Sequence, residues 1–292
     1  MELKDKLILR LDSQNFPSQG ATLIMAVSGG VDSVVLLHLL YLLAVQYEWE
    51  IIVAHFDHQL RATSSRDAKF VENLAKSLGL KFVSDTTDVN KLAKTKKLTI
   101  EEAGRWARYN WLQKMAQKYR AEVITLAHTA NDQAETIIMN WLRGGLMRAL
   151  AGMRLRENNL WRPLLSISKN ELVEFAKIYH LEFREDTSNN DLVYTRNLIR
   201  HQILPVLEKV NPGLREVLGR NANSWGELED CLSHLTQDTY KKVASKSSAD
   251  TINFKELSFR QLDKFMQNEL LLLAIQQLQG DRQDIKRVHL DE

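Results

Sequence analysis

The segment ATLIMAV, residues 21–27, runs directly into SGGVDS, residues 28–33, and the long apolar stretch that follows begins at Val31. This order predicts a buried strand, a tight turn and a helix. Glycines let such a turn bring its backbone N–H groups close to an anion, and the helix start adds donors and the positive end of its dipole. The segment therefore predicts a phosphate-binding loop, with an ordinary tight turn as the alternative.

Three side chains of this glycine loop, defined here as residues 28–33, limit the kind of phosphate ligand that it could bind. Ser28 and Ser33 offer hydroxyl donors, whereas the carboxylate of Asp32 would repel a bare phosphate. Asp32 therefore fits a phosphate site only if Mg²⁺ lies between the carboxylate and the phosphate. The Walker type of phosphate loop requires Gly-Lys-Ser/Thr, and the glycine loop contains no lysine.

Strand and helix patterns alternate through the first half of the chain. The predicted strands and helices are, in alternation, residues 21–27, 31–47, 50–56, 64–78, 80–83, 99–118, 122–127 and 130–142. This alternation predicts an α/β fold, a doubly wound parallel sheet with helices on both faces. Because such sheets bind ligands beyond the carboxyl ends of their strands, residues 28–33, 55–58 and 128–135 are expected to lie near one another.

The sequence changes character near the tripeptide Asn-Pro-Gly at residues 211–213, after which helical patterns prevail, as over residues 259–279. We predict two domains, a catalytic domain over residues 1–208 and a smaller C-terminal helical domain over residues 209–292. Residues 281–292 are polar and lack a helix cap, which suggests a truncated element.

Composition excludes several classes of protein. The formal net charge is +2, so nucleic-acid binding would depend on local basic patches. The single cysteine, Cys231, excludes a disulfide framework and a cysteine-rich zinc site, and argues against sulfur transfer by paired thiols. Residues 1–16 lack the apolar stretch of a signal peptide, and the longest apolar run, residues 34–45, is too short to span a bilayer. We expect a cytoplasmic protein without a membrane anchor.

A second polar cluster, HTANDQAET at residues 128–136, follows the fourth predicted strand. Asp132 and Glu135 are three residues apart and so share a face of the predicted helix. Two carboxylates on one face suit a cation, either Mg²⁺ or an ammonium group, and His128 or a carboxylate could accept the proton that an amine loses before it attacks. The alternative is a helix-capping box, which accounts for one acid and leaves His128 unexplained.

Arginines occur in pairs at helical spacing. Arg105 and Arg108 share one helix face, and Arg196 and Arg200, four residues apart, share another. Both pairs could bind phosphate groups. The alternatives are surface ion pairing for the first pair and a solvated basic face for the second.

Two histidines follow the second predicted strand. The spacing of His55 and His58 at a strand end points their side chains apart. We therefore favour packing and nucleotide contact over a metal site for this pair.

The glycine loop resembles the PP-loop of the ATP pyrophosphatases, which include GMP synthetase, NAD synthetase and argininosuccinate synthetase. Further motifs, in family order up to about residue 205, resemble those of the tRNA(Ile)-lysidine synthases. They include His-x-x-Asp-Asp-Gln-x-Glu-Thr at residues 128–136 and Glu-x-x-x-Arg-x-x-Arg-Tyr at residues 101–109. The other matching segments are residues 55–61, 143–145, 161–165, 185–189 and 194–201. The segment from residue 209 onward resembles the family only in its helical pattern, without matching motifs.

The resemblance implies a PP-loop, Rossmann-like fold and an ATP-dependent carbon–nitrogen ligase. O2 of the wobble cytidine in an isoleucine tRNA with a CAU anticodon attacks the α-phosphate of ATP, and pyrophosphate leaves. The ε-amine of L-lysine then attacks C2 of the adenylated cytidine and displaces AMP, which changes the codon specificity from AUG to AUA. The implied ligands are ATP, Mg²⁺, L-lysine and the tRNA, and a homodimer is one assembly to test.

The resemblance also implies roles for individual residues. The implied catalytic residues are Asp32, Arg108, Asp132 and Glu135. ATP binding is implied for Ser28, Gly29, Gly30, Val31, Asp32, Ser33 and His55, and Mg²⁺ binding for Asp32 alone. Substrate binding is implied for His128, Asp132, Glu135, Arg105, Arg143, Arg196 and Arg200.

Two positions depart from the family pattern. Asn131 stands where the family has an acid, and an amide is a weaker, neutral metal ligand; residues 143–145 read Arg-Gly-Gly, where the family has Gly-Ser-Gly after the arginine. The alternative functions are another PP-loop tRNA-modifying enzyme such as a thiolase, a small-molecule adenylating synthetase, and a tRNA-binding protein without catalysis. The single cysteine argues against the first, and the acid at residue 32 argues against the last.

Overall fold

The structure is a computed structural model of the chain. It describes residues 3–12, 16–59, 64–145, 147–184, 195–248 and 251–279. By internal contacts the chain divides into two compact units, Met1–Asn223 and Ser224–Glu292. The boundary between functional domains predicted at residues 208 and 209 stays a prediction.

A six-stranded sheet is the main element of the first unit. Its strands are β1 (Thr22–Ala26), β2 (Glu50–Asp57), β3 (Lys81–Thr86), β4 (Val123–Thr125), β5 (Arg156–Glu157) and β6 (Leu160–Trp161). The order across the sheet is β3-β2-β1-β4-β6-β5, and all neighbouring strands are parallel except β5 and β6. The chain thus builds outward from β1 to β3 and then returns to the other side of β1. The predicted doubly wound parallel sheet is confirmed.

Helices connect these strands and continue beyond them. They are α1 (Leu3–Asp12), α2 (Val31–Tyr47), α3 (Ser64–Ser77), α4 (Val89–Lys96), α5 (Ile100–Lys118), α6 (Ala130–Leu142), α7 (Met147–Leu150), α8 (Lys169–Ile178), α9 (Thr195–Leu198), a π-helix (Ile199–Ile203), α10 (Leu204–Val210) and α11 (Leu214–Val243). The bounds predicted for α2 and α6 are confirmed at both ends. Helices α4 and α8 were not predicted from the sequence.

Both faces of the sheet are buried. Leu23 and Met25 of β1 belong to one hydrophobic core, together with α2 and α8, because alternate strand residues point to the same face. Ile24 belongs to a second core on the opposite face, with Trp111 and Leu112 of α5. Burial on two faces explains why the sequence of β1 is apolar at consecutive positions and does not alternate.

The second unit contains the end of α11 and four shorter elements. They are β7 (Ala244–Ser248), β8 (Thr251–Phe254), α12 (Glu256–Arg260) and α13 (Lys264–Gln279). The helical character is confirmed, but the antiparallel hairpin of β7 and β8 was not predicted, because its residues are largely polar. The helical pattern predicted over residues 259–279 is confirmed for most of its length, but residues 261–263 interrupt it between α12 and α13. The Asp263 carboxylate accepts the N–H of Met266 at 2.9 Å and so begins a new helix there.

Some predictions fall outside the described residues. Residues 60–61, 185–189, 194 and 281–292, which carried parts of the family motifs and the expected truncated element, are among them. In the described part of the chain, no helix is both long enough and apolar enough to cross a membrane.

Candidate active site

The direction of sheet growth changes between β1 and β4, which pair in parallel at the middle of the sheet. Such a switch point is where α/β sheets bind ligands, beyond the carboxyl ends of the strands. The glycine loop follows β1, and residues 128–135 follow β4. Residues 55–58 lie at the carboxyl end of β2, on the other side of β1. The sheet therefore brings the three predicted clusters to one edge.

The glycine loop turns sharply between β1 and α2. Gly29 has a φ angle of +94°, which residues with a side chain rarely adopt, and a β-carbon there would also touch Phe70 and Val71 at 3.4 Å. The Ser33 hydroxyl donates to the Gly30 carbonyl at 2.9 Å and accepts the N–H of Gly29 at 3.2 Å. These bonds hold the loop against the start of α2, whose first N–H groups have no partner within the helix.

Asp32 lies in the first turn of α2, beside other charged groups. Its Oδ1 atom is buried and has no hydrogen-bond partner among the described residues. Burial raises the pKa of Asp32 from its ordinary value of 3.8 to about 6. The cations of Lys169 and Arg200 oppose this rise, whereas the carboxylates of Asp132 and Glu135 add to it. A buried acceptor without a donor is suited to a bound cation.

His55 supports the glycine loop from β2. Its ring is buried, and its Nδ1 atom lies 2.8 Å from the carbonyl oxygen of Val27. A carbonyl only accepts, so Nδ1 carries the proton and donates it. This bond fixes the residue directly before the loop, and the nucleotide contact expected of His55 stays a prediction.

Two arginines bind the two acids of α6. Glu135, with a side chain only 1% exposed, accepts Arg196 Nε at 2.7 Å and Arg200 Nε and Nη2 at 2.5 and 2.9 Å. Asp132 Oδ1 accepts Arg196 Nη2 at 3.0 Å and lies 3.6 Å from Arg200 Nη2. We call these four residues the acid–arginine cluster. Its two carboxylates face guanidinium groups rather than solvent.

Asp132 also caps α6. Its second oxygen accepts the backbone N–H of Thr129 at 2.9 Å and the Thr129 hydroxyl at 3.0 Å. Burial alone would raise the pKa of Asp132, but Arg196, His128 and the bonds from Thr129 outweigh burial and lower it. The capping box considered from the sequence, with Asn131 or Asp132 as the cap and Glu135 in the first turn, is wrong in its residues, because Thr129 is the N-cap and Asp132 its partner. The Asp132 side chain also belongs to the acid–arginine cluster.

The arginines of the cluster come from an unusual helical segment. Arg196 lies in α9 and Arg200 in the π-helix that follows it. Ile199, fully buried, packs with Ala134 and Ile138 of α6 and so holds this segment against the acids. Single π-helical turns are rare and often lie at functional sites.

A histidine–arginine recess, defined as His58, Arg108 and His128, lies beside the cluster. Arg108 Nε and the Nδ1 atoms of both histidines are buried without a hydrogen-bond partner in the described part of the chain. Burial and the charge of Arg108 lower the pKa of His58 to about 4. Burial also lowers the pKa of His128, against the opposing effect of Asp132. Both imidazoles are therefore neutral at pH 7, and the positive charge of Arg108, which affects both, would attract an anion.

Gly104 makes this recess possible. It lies one helical turn before Arg108 on α5, and a β-carbon at this position would lie 3.1 Å from Nδ1 of His58. Real β-carbons rarely approach other atoms so closely. Glycine therefore lets the His58 ring lie directly against the helix that carries Arg108.

The other predicted arginines are exposed. The Arg105 guanidinium lies 4.9 Å from the centre of the Tyr109 ring. Arg143 follows the last residue of α6 and, with Arg196, borders a cavity of about 270 Å³. The other residues that line this cavity are Thr99, Ile100, Glu101, Met139 and Thr195.

The described residues contain no group of three or more His, Cys, Asp or Glu side chains that could hold a metal ion alone. Mg²⁺ commonly binds proteins through one or two carboxylates together with substrate phosphates and water. The unpartnered oxygen of Asp32, in the first turn after the glycine loop, fits this mode of binding.

A comparison with known families matches residues 4–207, well over half of the chain, to the PP-loop domain. The chain belongs to the PP-loop domain family. The described portion of the matched segment includes the glycine loop, the acid–arginine cluster and the histidine–arginine recess. The resemblance of the glycine loop to the PP-loop of this family is therefore confirmed.

Curated relatives of this PP-loop protein carry the name tRNA(Ile)-lysidine synthase. One from Clostridium tetani is 32% identical over 291 residues, which cover 99% of this chain and 62% of the relative. One from Thermosipho africanus is 37% identical over 229 residues, 78% of this chain and 54% of the relative. The chain thus spans less than two thirds of their length, and the first alignment extends past residue 205, where the sequence motifs ended.

A solved structure shares the PP-loop fold. The U34-tRNA thiolase from Methanococcus maripaludis superposes with a TM-score of 0.64 at 18% identity, and the alignment covers 76% of this chain and 79% of that one. At this identity the likeness supports the fold alone.

The contributions of two residues of this PP-loop site were not predicted from the sequence. His58 was considered only beside His55, and its contact with Gly104 depends on residues far apart in sequence. Lys169, the first residue of α8, affects the titration of Asp32. A capping box of Ser168 and Glu171, the residues on either side of it, could have marked this helix start from the sequence.

Proposed function

We propose that the protein is an ATP-dependent ligase that attaches L-lysine to C2 of the wobble cytidine of an isoleucine tRNA with a CAU anticodon. One observation carries the proposal: the glycine loop, with its unpartnered Asp32 carboxylate, lies beside the acid pair of α6 at a single switch point. The first feature suits a metal–nucleotide, and the second suits an ammonium group. The family motifs and the names of the relatives supply the identity of the substrates.

The glycine loop is the proposed triphosphate site. The first N–H groups of α2 and the positive end of its dipole attract phosphate oxygens, and Gly29 lets the backbone approach them. Asp32 would hold Mg²⁺ against these oxygens. When bound, Mg²⁺ neutralises the charge that develops on the phosphates.

The first chemical step transfers AMP to the cytidine. O2 of the cytidine forms a bond to the α-phosphorus of ATP. The bond from that phosphorus to the oxygen that bridges the α- and β-phosphates breaks, and pyrophosphate leaves. Arg108 is suited to stabilise the charge on the α-phosphate, because its buried guanidinium forms no ion pair with any described carboxylate. The neutral rings of His58 and His128 add hydrogen-bonding groups, and because they carry no charge they do not compete with Arg108 for the phosphate.

The second step replaces AMP by lysine. The ε-amine forms a bond to C2, the C2–O2 bond breaks, and AMP leaves with that oxygen. An amine with an ordinary pKa near ~10.4 arrives protonated, so it must give up a proton, to a carboxylate of the site or to the neutral imidazole of His128, before it attacks. Asp132 and Glu135 attract the ammonium group and bring it to the edge of the sheet where the adenylated base is formed.

Arg196 and Arg200 couple the two substrates. In the free protein both guanidiniums bind the acids that the lysine ammonium needs. A phosphate of the tRNA backbone offers these arginines another anion, and their transfer to it would free the acids. Lysine is therefore expected to bind more tightly to the tRNA complex than to the free protein.

The test is lysine transfer to defined tRNAs. The protein is incubated with ATP, Mg²⁺, radiolabelled lysine and an isoleucine tRNA carrying either a CAU or a GAU anticodon. We expect label in RNA only with the CAU anticodon, together with equal amounts of AMP and pyrophosphate. A Glu174→Gln variant, altered at an exposed acid of α8, serves as the matched control for Glu135→Gln. Formation of a thionucleoside when a sulfur donor is added, or of NAD when its precursor and ammonia are added, without labelled RNA, would contradict the proposal.

A further inference from the structure

We propose that a group of lysines on and directly after α4 binds the phosphate backbone of the RNA substrate and holds it at the ligand edge of the sheet. The group, called here the α4 lysines, consists of Lys91, Lys94, Lys96 and Lys97. The inference rests on the proposed function, because it assigns a surface to the tRNA of that reaction. None of the segments that resemble the family motifs includes these residues.

The α4 lysines concentrate positive charge in a chain that has little net charge. Residues 89–100 contain four lysines and no acid, whereas the whole chain has a formal net charge of +2. All four lysine side chains are exposed. Nucleic-acid binding by this chain was expected to depend on a local basic patch, and this segment supplies one.

No ion pair with a described residue neutralises the α4 lysines. Two acids flank the segment, but backbone groups at helix starts already engage them. Asp88 accepts the N–H of Lys91 at 3.0 Å, and Glu102 accepts the N–H of Thr99 at 2.9 Å. In contrast, one exposed lysine of α3 and one of α11 each bind an acid of their own helix. The positive charge on α4 is therefore available to a partner.

The fold places α4 at the ligand edge of the sheet. It follows the carboxyl end of β3, and α5 then leads to the amino end of β4. A β-carbon on Gly104 of α5 would lie 3.1 Å from the His58 ring and 3.6 Å from Val89 Cγ1. The first residue of α4 thus packs against the same turn of α5 as the histidine–arginine recess does.

The segment that joins α4 to α5 borders the cavity of about 270 Å³. Thr99, at the start of α5, lines this cavity together with Arg143 and Arg196. Lys97 precedes Thr99 by only two residues. Since Arg196 is proposed to bind a phosphate of the tRNA, the α4 lysines extend positive charge from the same cavity along α4.

The chemistry of the group favours the backbone of RNA over its bases. Lysine is a compact charge on a flexible stem, and such contacts hold phosphates without reading the sequence. Lys91 and Lys94, three residues apart on the helix, lie side by side and can reach neighbouring phosphates. Lys96 Nζ lies 3.9 Å from the centre of the Trp106 ring, which is 44% exposed. An exposed aromatic ring among cations is typical of surfaces that bind nucleic acid.

A membrane surface fits α4 less well. A helix that lies on a membrane inserts its apolar face into the lipid. The apolar face of α4 is already buried, because Val89 and Ala93 pack with Ala103 of α5. Only the charged face of α4 remains for a partner.

Salt-dependent binding of the isoleucine tRNA to the whole chain tests the inference. Lys91→Gln combined with Lys94→Gln should weaken binding at least about tenfold at ~0.1 M salt, because two phosphate contacts are lost. The slope of log affinity against log salt should fall by about two, roughly one for each contact. The loss should shrink as the salt approaches ~1 M, because release of counterions drives these contacts. A merely structural effect would not depend on salt in this way.

The matched control is Lys114→Gln combined with Lys118→Gln. Both lysines are exposed in the second half of α5, which leads toward the opposite edge of the sheet. This control removes the same charge and should leave both the affinity and the slope unchanged. An unchanged slope in the Lys91 and Lys94 variant, or an equal fall in the control, would overturn the inference.

Lys97→Gly separates charge from folding. Lys97 has a φ angle of +56°, which glycine adopts without strain, so the unfolding temperature should not fall. Binding of the tRNA should weaken about threefold at ~0.1 M salt, the loss of a single charge. Full affinity in this variant would contradict the role of Lys97. Loss of binding to anionic vesicles without any loss of RNA affinity would assign the α4 lysines to a membrane surface and overturn the inference.

These measurements also distinguish the inference from the proposed function. If the α4 lysines set the salt dependence of tRNA binding but no lysine is transferred, the inference holds and the proposed ligase reaction is wrong. If the wild type transfers lysine and the Lys91 and Lys94 variant binds tRNA normally, only the inference fails. If the wild type binds no tRNA, both are wrong.

Discussion

The glycine loop and the acid–arginine cluster lie at the same edge of the sheet but differ in how their charges are satisfied. At the loop, Asp32 Oδ1 is buried without a partner among the described residues. In the cluster, all four carboxylate oxygens of Asp132 and Glu135 accept hydrogen bonds. The loop region is thus complete only with a ligand, whereas the cluster is complete without one.

This difference separates two ways of preparing a binding site. A cation at the loop reduces the cost of burying the ionised Asp32, because it supplies the positive partner that this carboxylate lacks among the described residues. A ligand at the cluster must displace good ion pairs, and removing one partner of a buried pair costs about 3–5 kcal/mol unless another ion takes its place. Binding at the loop should therefore be direct, and binding at the cluster should depend on a second anion.

The largest expected effect is the loss of Mg²⁺ at the loop. Asp32→Ala should reduce ATP-dependent pyrophosphate release at least about a hundredfold, because it removes the buried, unpartnered carboxylate oxygen in the first turn after the loop. Release is measured in the presence of tRNA and lysine. Glu174→Ala, at an exposed acid of α8, is the control, and an unchanged rate in Asp32→Ala would refute the Mg²⁺ role.

Breaking the cluster should affect stability. Glu135→Gln leaves two arginines facing a neutral amide in a buried site, which we expect to cost about 3–5 kcal/mol of unfolding free energy. Chemical denaturation of the two proteins measures the difference. A cost below about 1 kcal/mol would mean that these ion pairs behave as surface pairs and that the contrast with the loop is wrong.

At the glycine loop, replacing the acid by its amide should change the stability of the fold in the opposite direction. The pKa of Asp32 in the folded protein, about 6, exceeds its ordinary value of 3.8, so ionisation of this group destabilises the fold above that range. Asp32→Asn should therefore raise the unfolding temperature at pH 7.5, and the gain should disappear as the pH falls below about 4. A gain that does not depend on pH would show that the charge of Asp32 is not its cause.

The smallest effect concerns the histidine–arginine recess. In Gly104→Ala the new β-carbon lies 3.1 Å from His58 Nδ1 and must displace the ring or the helix that carries Arg108. Alanine also favours the helix by up to about 1 kcal/mol, so stability should change little while pyrophosphate release falls a few-fold. Gly219→Ala is a matched control, because a β-carbon at this helical glycine meets nothing within 4 Å. Equal rates in the two variants would contradict a role for this close approach.

The sequence predicted the sheet and its ligand edge because both depend on local patterns. The apolar residues of β1 and the turn at Gly29 form contiguous signals, and α2 and α6 were predicted with their observed bounds. Short β5 and β6 have two residues each, too few for any periodicity to appear. The polar hairpin of the second unit lacks the apolar alternation that would have revealed it.

The ion pairs between the arginines and the acids of the candidate site could not be predicted from the sequence. Arg196 and Glu135 are 61 residues apart in sequence, and nothing local indicates that the arginines bind the acids. The motif suggested a phosphate contact for Arg196 and a cation site at Glu135, and each would require the pair to separate. Lys169 was missed for the same reason, because its effect on Asp32 arises from the fold and not from a motif.

The central claim is that ATP bound at the glycine loop is cleaved between its α and β phosphates. The most direct test incubates the protein with Mg²⁺, lysine, CAU-anticodon tRNA and ATP labelled in the β-phosphate, and then separates the labelled products. We predict labelled pyrophosphate in amounts equal to the lysine transferred, and none with Asp32→Ala. Labelled ADP in place of pyrophosphate would contradict the account.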